Sequence, residues 1–182
     1  RYSDSQEPGD CCHILRAYSH LLPKQGRSLD LACGLGANAL FLAAQGLESH
    51  GWDISPVALR HLQGFAESHS LTVTTEQRDI EKQPPPSRSF DVIVVSQFLH
   101  RPLCAKLIQA LKPNGLLFYQ TFNTQRQHGR GPGNPSYRLN TNELLSLFPG
   151  LTIRAYLEEG PAGDKLQGSV DMSYLVGQKP EI

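Results

Sequence analysis

The sequence predicts an α/β fold on a mostly parallel sheet, and three observations predict it. Strand-like and helix-like segments alternate through most of the 182 residues, as expected of parallel strands joined by crossover helices. Asp91 to Ser96 (DVIVVS) is a near-continuous apolar run, the pattern of a central strand covered on both faces. The last two strand-like runs, Leu151 to Leu157 and Val170 to Val176, have no good helix between them. They are expected to form a hairpin, so one late strand runs antiparallel.

Each element has its own signal. Asp10 to Leu22 carries Ile14, Leu15, Tyr18, Leu21 and Leu22 at helical spacing and is stopped by Pro23. Ser28 to Ala32 is a short apolar run suited to a buried strand. Ala37 to Gln45 reads as a helix ended by Gly46, and Leu47 to Asp53 as a second strand. Ser55 is an N-cap candidate with Pro56 at the first helical position, opening a helix to Ser68. Leu71 to Asp79 alternates Leu71, Val73 and Thr75 and reads as a third strand. Pro84-Pro85-Pro86 marks a surface loop. Pro102 to Leu111 reads as a helix, Lys112 to Gly115 as a turn, and Leu116 to Phe122 as a fifth strand. Asn123 to Arg138 is polar and aperiodic, and a helix is expected from Asn140 to Phe148.

The length fits one domain, here taken as residues 1–182 with an N-terminal helical segment over 1–25, able to bury a core without disulfides. Seventeen basic and 17 acidic side chains give a formal net charge of zero, against a globally basic nucleic-acid binder. No apolar stretch approaches the roughly 20 residues of a membrane helix. Cys11, Cys12, Cys33 and Cys104 have neither CxxC nor zinc spacing. Free thiols in a reducing cytoplasm are the expectation.

The strongest local signal is Asp30-Leu31-Ala32-Cys33-Gly34-Leu35-Gly36-Ala37-Asn38-Ala39, a strand running through two glycines into a helix. Gly34 and Gly36 permit positive φ and close approach of a ligand, and the helix start offers free amides. Read as G-x-G-x-x-A, it also fits a dinucleotide fingerprint; a purely structural turn is the plainer alternative. Two acids add weight. Asp53 ends the second strand, where a carboxylate can accept from both hydroxyls of a ribose. Asp79, in Arg78-Asp79-Ile80, ends the third and could accept from an adenine amino group while Ile80 packs on the ring. A solvated strand-end carboxylate is its alternative. Asp30 separates the cofactor readings. A carboxylate beside the turn would repel a pyrophosphate and would suit the ammonium and sulfonium charges of S-adenosylmethionine.

The stretch LDLACGLGANALFLAAQG followed by GWDIS resembles the class I S-adenosylmethionine-dependent methyltransferases, in particular the small-molecule branch that includes the tellurite-resistance enzymes. Arg78-Asp79-Ile80, FDVIVVSQFLH and LIQALKPNGLLFYQTF follow in that family's order, so the resemblance covers nearly the whole chain. It implies a Rossmann-like, doubly wound, seven-stranded sheet with the last strand inserted antiparallel. It implies that Asp30, Cys33, Gly34 and Gly36 surround the methionine part of the cofactor. Asp53 would bind the ribose, with Ile54 against the adenine; Asp79 and Ile80 would hold the adenine edge; and Ser96, Gln97 and Phe98 would lie beside the cofactor.

Methyl transfer from a sulfonium mostly requires alignment and exclusion of water. A base is needed only where the nucleophile must lose a proton. His100, after the fourth strand, is the first candidate for a base or substrate contact, with a surface histidine as the alternative. Tyr119 is a weaker candidate, with Thr121 and Asn123. The segment 123–139 holds Arg126, His128, Arg130 and Arg138, with Phe122 and Tyr137 at its edges and no acid before Arg138. Arginine forks recognise oxyanions and loops of this length often act as lids. It is therefore expected to be a substrate lid in which Arg126, Arg130, Tyr137 and Arg138 meet an anionic acceptor; a solvated basic loop is the alternative. Ser96-Gln97-Phe98-Leu99 stands where amino-group methylases of DNA carry D/N-P-P-Y/F/W, and no Pro-Cys pair serves a cytosine C5 enzyme. The expected partner is a small molecule, with no membrane and a monomer or homodimer. RNA methylation through the basic loop, a nicotinamide-dependent oxidoreductase and a non-catalytic scaffold are the competing readings.

Overall fold

The computed structural model describes residues 7–164 and 166–181; the first six residues of the expected N-terminal segment lie outside these. Seven strands, β1 (Arg27–Leu31), β2 (Glu48–Asp53), β3 (Val73–Gln77), β4 (Phe90–Ser96), β5 (Leu111–Phe122), β6 (Thr152–Leu157) and β7 (Met172–Gln178), form one sheet. Its order is β3-β2-β1-β4-β5-β7-β6. β3, β2, β1, β4 and β5 pair in parallel, whereas β7 runs antiparallel to both β5 and β6. The expected hairpin is therefore present, with its second strand inserted beside β5.

Alternation along the central strands divides the core into two layers. Ile93 and Val95 of β4, with Leu117 and Tyr119 of β5, point into one layer with Leu103 and with Leu107 of α4 (Cys104–Ala110) and Leu144 of α5 (Glu143–Leu147). Val92, Val94, Leu116 and Phe118 point into the other, against Ile14 and Leu15 of α1 (His13–Ala17) and Leu42 of α2 (Ala37–Ala44). On β2, Gly51 is required by packing. A Cβ there would stand 2.7 Å from Leu62 of α3 (Pro56–Ser68). Ser55 caps α3 by accepting from the Ala58 amide at 3.3 Å, and Pro56 opens it, as its sequence predicts.

Three elements differ from expectation. The N-terminal helix starts only at His13 and gives way to a 3-10 turn over Ser19–Leu21. The Cys12 and Ile14 amides donate instead to the side chains of Asn38 (2.8 Å) and Gln120 (3.0 Å), which holds Cys12 extended. Lys112 to Gly115 is a bulge inside β5: pairing passes from Phe90–Leu111 to Val92–Leu116, and Asn114 takes φ 63°. The helix expected from Asn140 shortens to α5, with Asn142 left-handed at its start (φ 61°).

The chain leaves β1 toward β2 and β3, then returns to β4 on the other side. In such sheets the crevice lies beyond the carboxyl ends of the strands at this reversal, and the candidate site is found there.

Candidate active site

Past the end of β1 the backbone turns through three left-handed residues, Ala32 (φ 56°), Gly34 (54°) and Gly36 (80°). Gly36 then serves as the N-cap of α2. A Cβ on Gly36 would collide with Leu62 of α3, so this glycine is required by helix packing as well as by its φ. The Gly34 amide donates to Asp53 Oδ2 and the Ser55 amide to Oδ1, both at 2.8 Å. Asp53 is only 9% exposed; its carboxylate is aimed before any ligand arrives, and each oxygen keeps accepting capacity.

A cleft of about 910 Å3 opens over these strand ends. Cys33, Gly34, Gly36, Asp53, Ile54, Asp79, Ile80, Ser96, Gln97 and Phe98 all line it, so the structure brings together every cofactor candidate except Asp30. Asp79 pairs with Lys82 at 2.9 Å, and that ammonium holds its carboxyl below the usual range. Ile54 is 65% exposed beside the buried Ile80. Burial drives the Cys33 thiol far up, so it stays protonated and is no nucleophile.

Asp30 is a correction. It is 1% exposed and lies behind the wall, accepting from Asn38 Nδ2 and from the Ala39 amide, each at 3.1 Å. Burial pushes its carboxyl up to about 7 against the pull of these donors. Its carboxylate is taken up by the start of α2. Tyr119 is a second correction. It is 1% exposed, packs on Phe148 in the core and donates to the Phe98 carbonyl at 2.9 Å. Burial raises its hydroxyl well above the usual tyrosine value, so it keeps its proton, and it lines neither cavity. His100 stands with Nδ1 3.5 Å from Glu81, at the β3 end of the cleft and outside the lining residues.

A smaller cavity of about 260 Å3 adjoins the cleft. Gln97 and Gln120 line both. Phe122, His128, Arg130, Ser169, Asp171 and Tyr174 line the rest, among others. The polar loop forms its rim and is tied down. Asp171, 3% exposed, accepts from the Gln127 and His128 amides, and Asn123 Nδ2 donates to the Val170 carbonyl at 2.9 Å. Arg138 is another correction. It is 3% exposed, and its guanidinium donates to the carbonyls of Asn123, Arg130 and Pro132. Its donors are taken up within the loop, and it lines neither cavity. Arg126 and the half-exposed Tyr137 line neither cavity, which leaves Arg130 of the four expected substrate residues. Sequence reasoning missed Pro8, Asp10, Cys12, Asn38 and Gln120 on the cleft wall. Only the glutamine's place, one residue after Tyr119 on a strand of period two, offered a signal.

A family described as a methyltransferase domain matches residues 3–160. The chain belongs to the class I methyltransferases that use S-adenosylmethionine. This sets aside the nicotinamide-dependent reading of the glycine turn. The methyltransferase is 33% identical to a ubiquinone biosynthesis O-methyltransferase of Burkholderia ambifaria (strain MC40-6), over 88% of this chain and 80% of the relative. Its fold matches that of a S-adenosylmethionine-dependent methyltransferase from Methanosarcina mazei (TM-score 0.73, 18% identity, 95% of this chain and 100% of that one). It also matches that of TehB from Haemophilus influenzae (TM-score 0.72, 20% identity, 91% of this chain). The chain spans 61% of the TehB chain, less than two thirds of its length. Among the described residues of the methyltransferase, no helix is long and apolar enough to cross a membrane.

Proposed function

We propose that the protein methylates a small, anionic acceptor seated in the smaller cavity. The observation that carries this is the junction of the two cavities at Gln97 and Gln120, with Arg130 and His128 lining the smaller one. The residues of the large cleft fit S-adenosylmethionine. Asp53 is pre-aimed for a ribose diol, Ile54 and Ile80 offer apolar faces for an adenine, and Asp79 an edge acceptor. Cys33, Gly34, Gly36 and Ser96 to Phe98 would surround the amino-acid end. The exposed Ile54 is an apolar surface that such a base would cover. When bound, the cofactor supplies a methyl group already activated on a sulfonium.

The chain's own part is to bind, orient and exclude water. Arg130 offers a guanidinium to an anionic group, while Phe122, Val170 and Met172 offer apolar surface. A small aromatic or other planar acid fits that mixture. The O-methyltransferase relatives support an oxygen as the accepting atom. His128, beside Arg130, is the histidine facing the acceptor in this reading, in place of His100. Arg138 spends its charge inside the loop, which supports a small molecule over an RNA held on a basic surface.

Calorimetric titration with S-adenosylhomocysteine and, separately, NADH tests the cofactor, with micromolar binding of the first and none of the second expected. Arg130→Ala should then raise KM about tenfold for a carboxylate-bearing phenol. The neutral analogue should be unaffected. NADH binding alone would overturn the cofactor reading, and equal KM changes for both phenols the anionic one.

A further inference from the structure

The strands end along the cleft in the order β3-β2-β1-β4-β5, each about 4.8 Å from the next. With a ribose on Asp53 of β2 and an adenine toward β3, the amino-acid end of the cofactor falls over β1 and β4. That end carries an ammonium. The acid expected to meet it, Asp30, is buried behind the wall and occupied by Asn38 and Ala39. Among the described residues, the carboxylates on the cleft wall are Asp10, Asp53, Asp79 and Glu81. Three of these belong to the ribose and adenine side. Asp10 is the one at the other end.

Its place is fixed by two bonds already described. The Cys12 amide donates to Asn38 Oδ1, and the Ile14 amide to Gln120 Oε1. Both acceptors are buried cleft residues, 7% and 6% exposed. They tie the segment at Cys12 and Ile14 to the start of α2 and to β5, and Pro8 and Asp10 line the cavity. Among the described residues, Arg78 is the only lysine or arginine on the wall. It lies at the β3 end, stacked 3.9 Å from the centre of the Trp52 ring and paired with Glu76. Among the described residues, no cation on the wall therefore competes with an ammonium near Asp10. The nearest rival is Arg16, which engages Asp10 Oδ1 at 2.8 Å from outside the wall, with side chains 57% and 89% exposed. Such solvent-exposed pairs are weak and exchange readily.

We propose that Asp10 binds the ammonium of the cofactor, making the N-terminal segment the wall that recognises its amino-acid end. This rests on the S-adenosylmethionine reading of the cleft. The full chain and its Asp10→Asn and Asp10→Glu variants would be titrated with S-adenosylhomocysteine and with 5′-methylthioadenosine, which lacks the amino-acid group. Asp10→Asn should weaken S-adenosylhomocysteine about threefold and leave 5′-methylthioadenosine unchanged. Asp10→Glu should restore part of the loss. A wild-type affinity for S-adenosylhomocysteine in Asp10→Asn would overturn the proposal while leaving the cofactor reading intact. Equal weakening of both ligands would overturn it too, since the segment would then act by packing alone. Failure of the wild-type chain to bind either ligand would remove the cofactor reading itself.

Discussion

The two cavities meet at two glutamines but are built by different means. The walls of the large cleft come mainly from strand ends and the residues just after them, so its geometry follows from sheet register: Leu31 pairs with Trp52 and with Val95, and the residues that follow converge. The small cavity is rimmed by a loop whose shape depends on side chains elsewhere, above all on Asp171 at the start of β7 and on Arg138. A ligand pocket tied to a sheet inherits the stiffness of the sheet. One tied to a few polar anchors is only as firm as those anchors, and it can be retuned by changing one of them.

Substitution at one anchor on each side tests that contrast. Asp53→Ala removes the acceptor of two backbone amides together with the candidate ribose ligand. It should lower S-adenosylhomocysteine affinity on the order of a hundredfold by calorimetry, while amide exchange in 123–138 stays as in the parent. Asp171→Ala should do the converse. Exchange at Gln127 and His128 should rise steeply and acceptor KM climb about tenfold, with cofactor affinity within twofold. If either substitution disturbed both cavities equally, the independence argued here would fail.

The smallest effect concerns pH. Asp30 is held near 7 in the folded chain, against 3.8 as its ordinary value. The folded state therefore keeps a proton that the unfolded state releases between these values. The stability this contributes is fully present below about pH 4 and is lost as pH rises through about 7. The melting temperature of the ligand-free protein should fall by several degrees between about pH 5 and pH 8. Asp30→Asn should flatten that slope.

The sequence was most legible where chemistry is local. Gly34 and Gly36 follow β1 within a few residues, Asp53 ends β2, and Ser55-Pro56 opens α3 as a cap should. It was least legible where orientation decides. Tyr119 and Gln120 are neighbours, yet alternation sends one into the core and the other to the cleft. Arg138 has the side chain of an anion binder, but three carbonyls of its own loop take it up, and nothing in its immediate sequence announces that. Asp10 belongs to no local motif. Its place depends on Asn38 and Gln120, which are distant in the chain.

The bond from Ile14 to Gln120 joins residues 106 positions apart. A ribosome makes the segment around Ile14 before β5, and that segment has no Gln120 to dock on until β5 has been synthesised and has added itself to the sheet. The wall that closes the cleft is thus made before the strand it docks on and is among the last parts to be seated. Nascent chains ending before β5 should display the glycine turn without a closed pocket, and ligand retention by such chains would mark the moment at which the sheet is long enough to work.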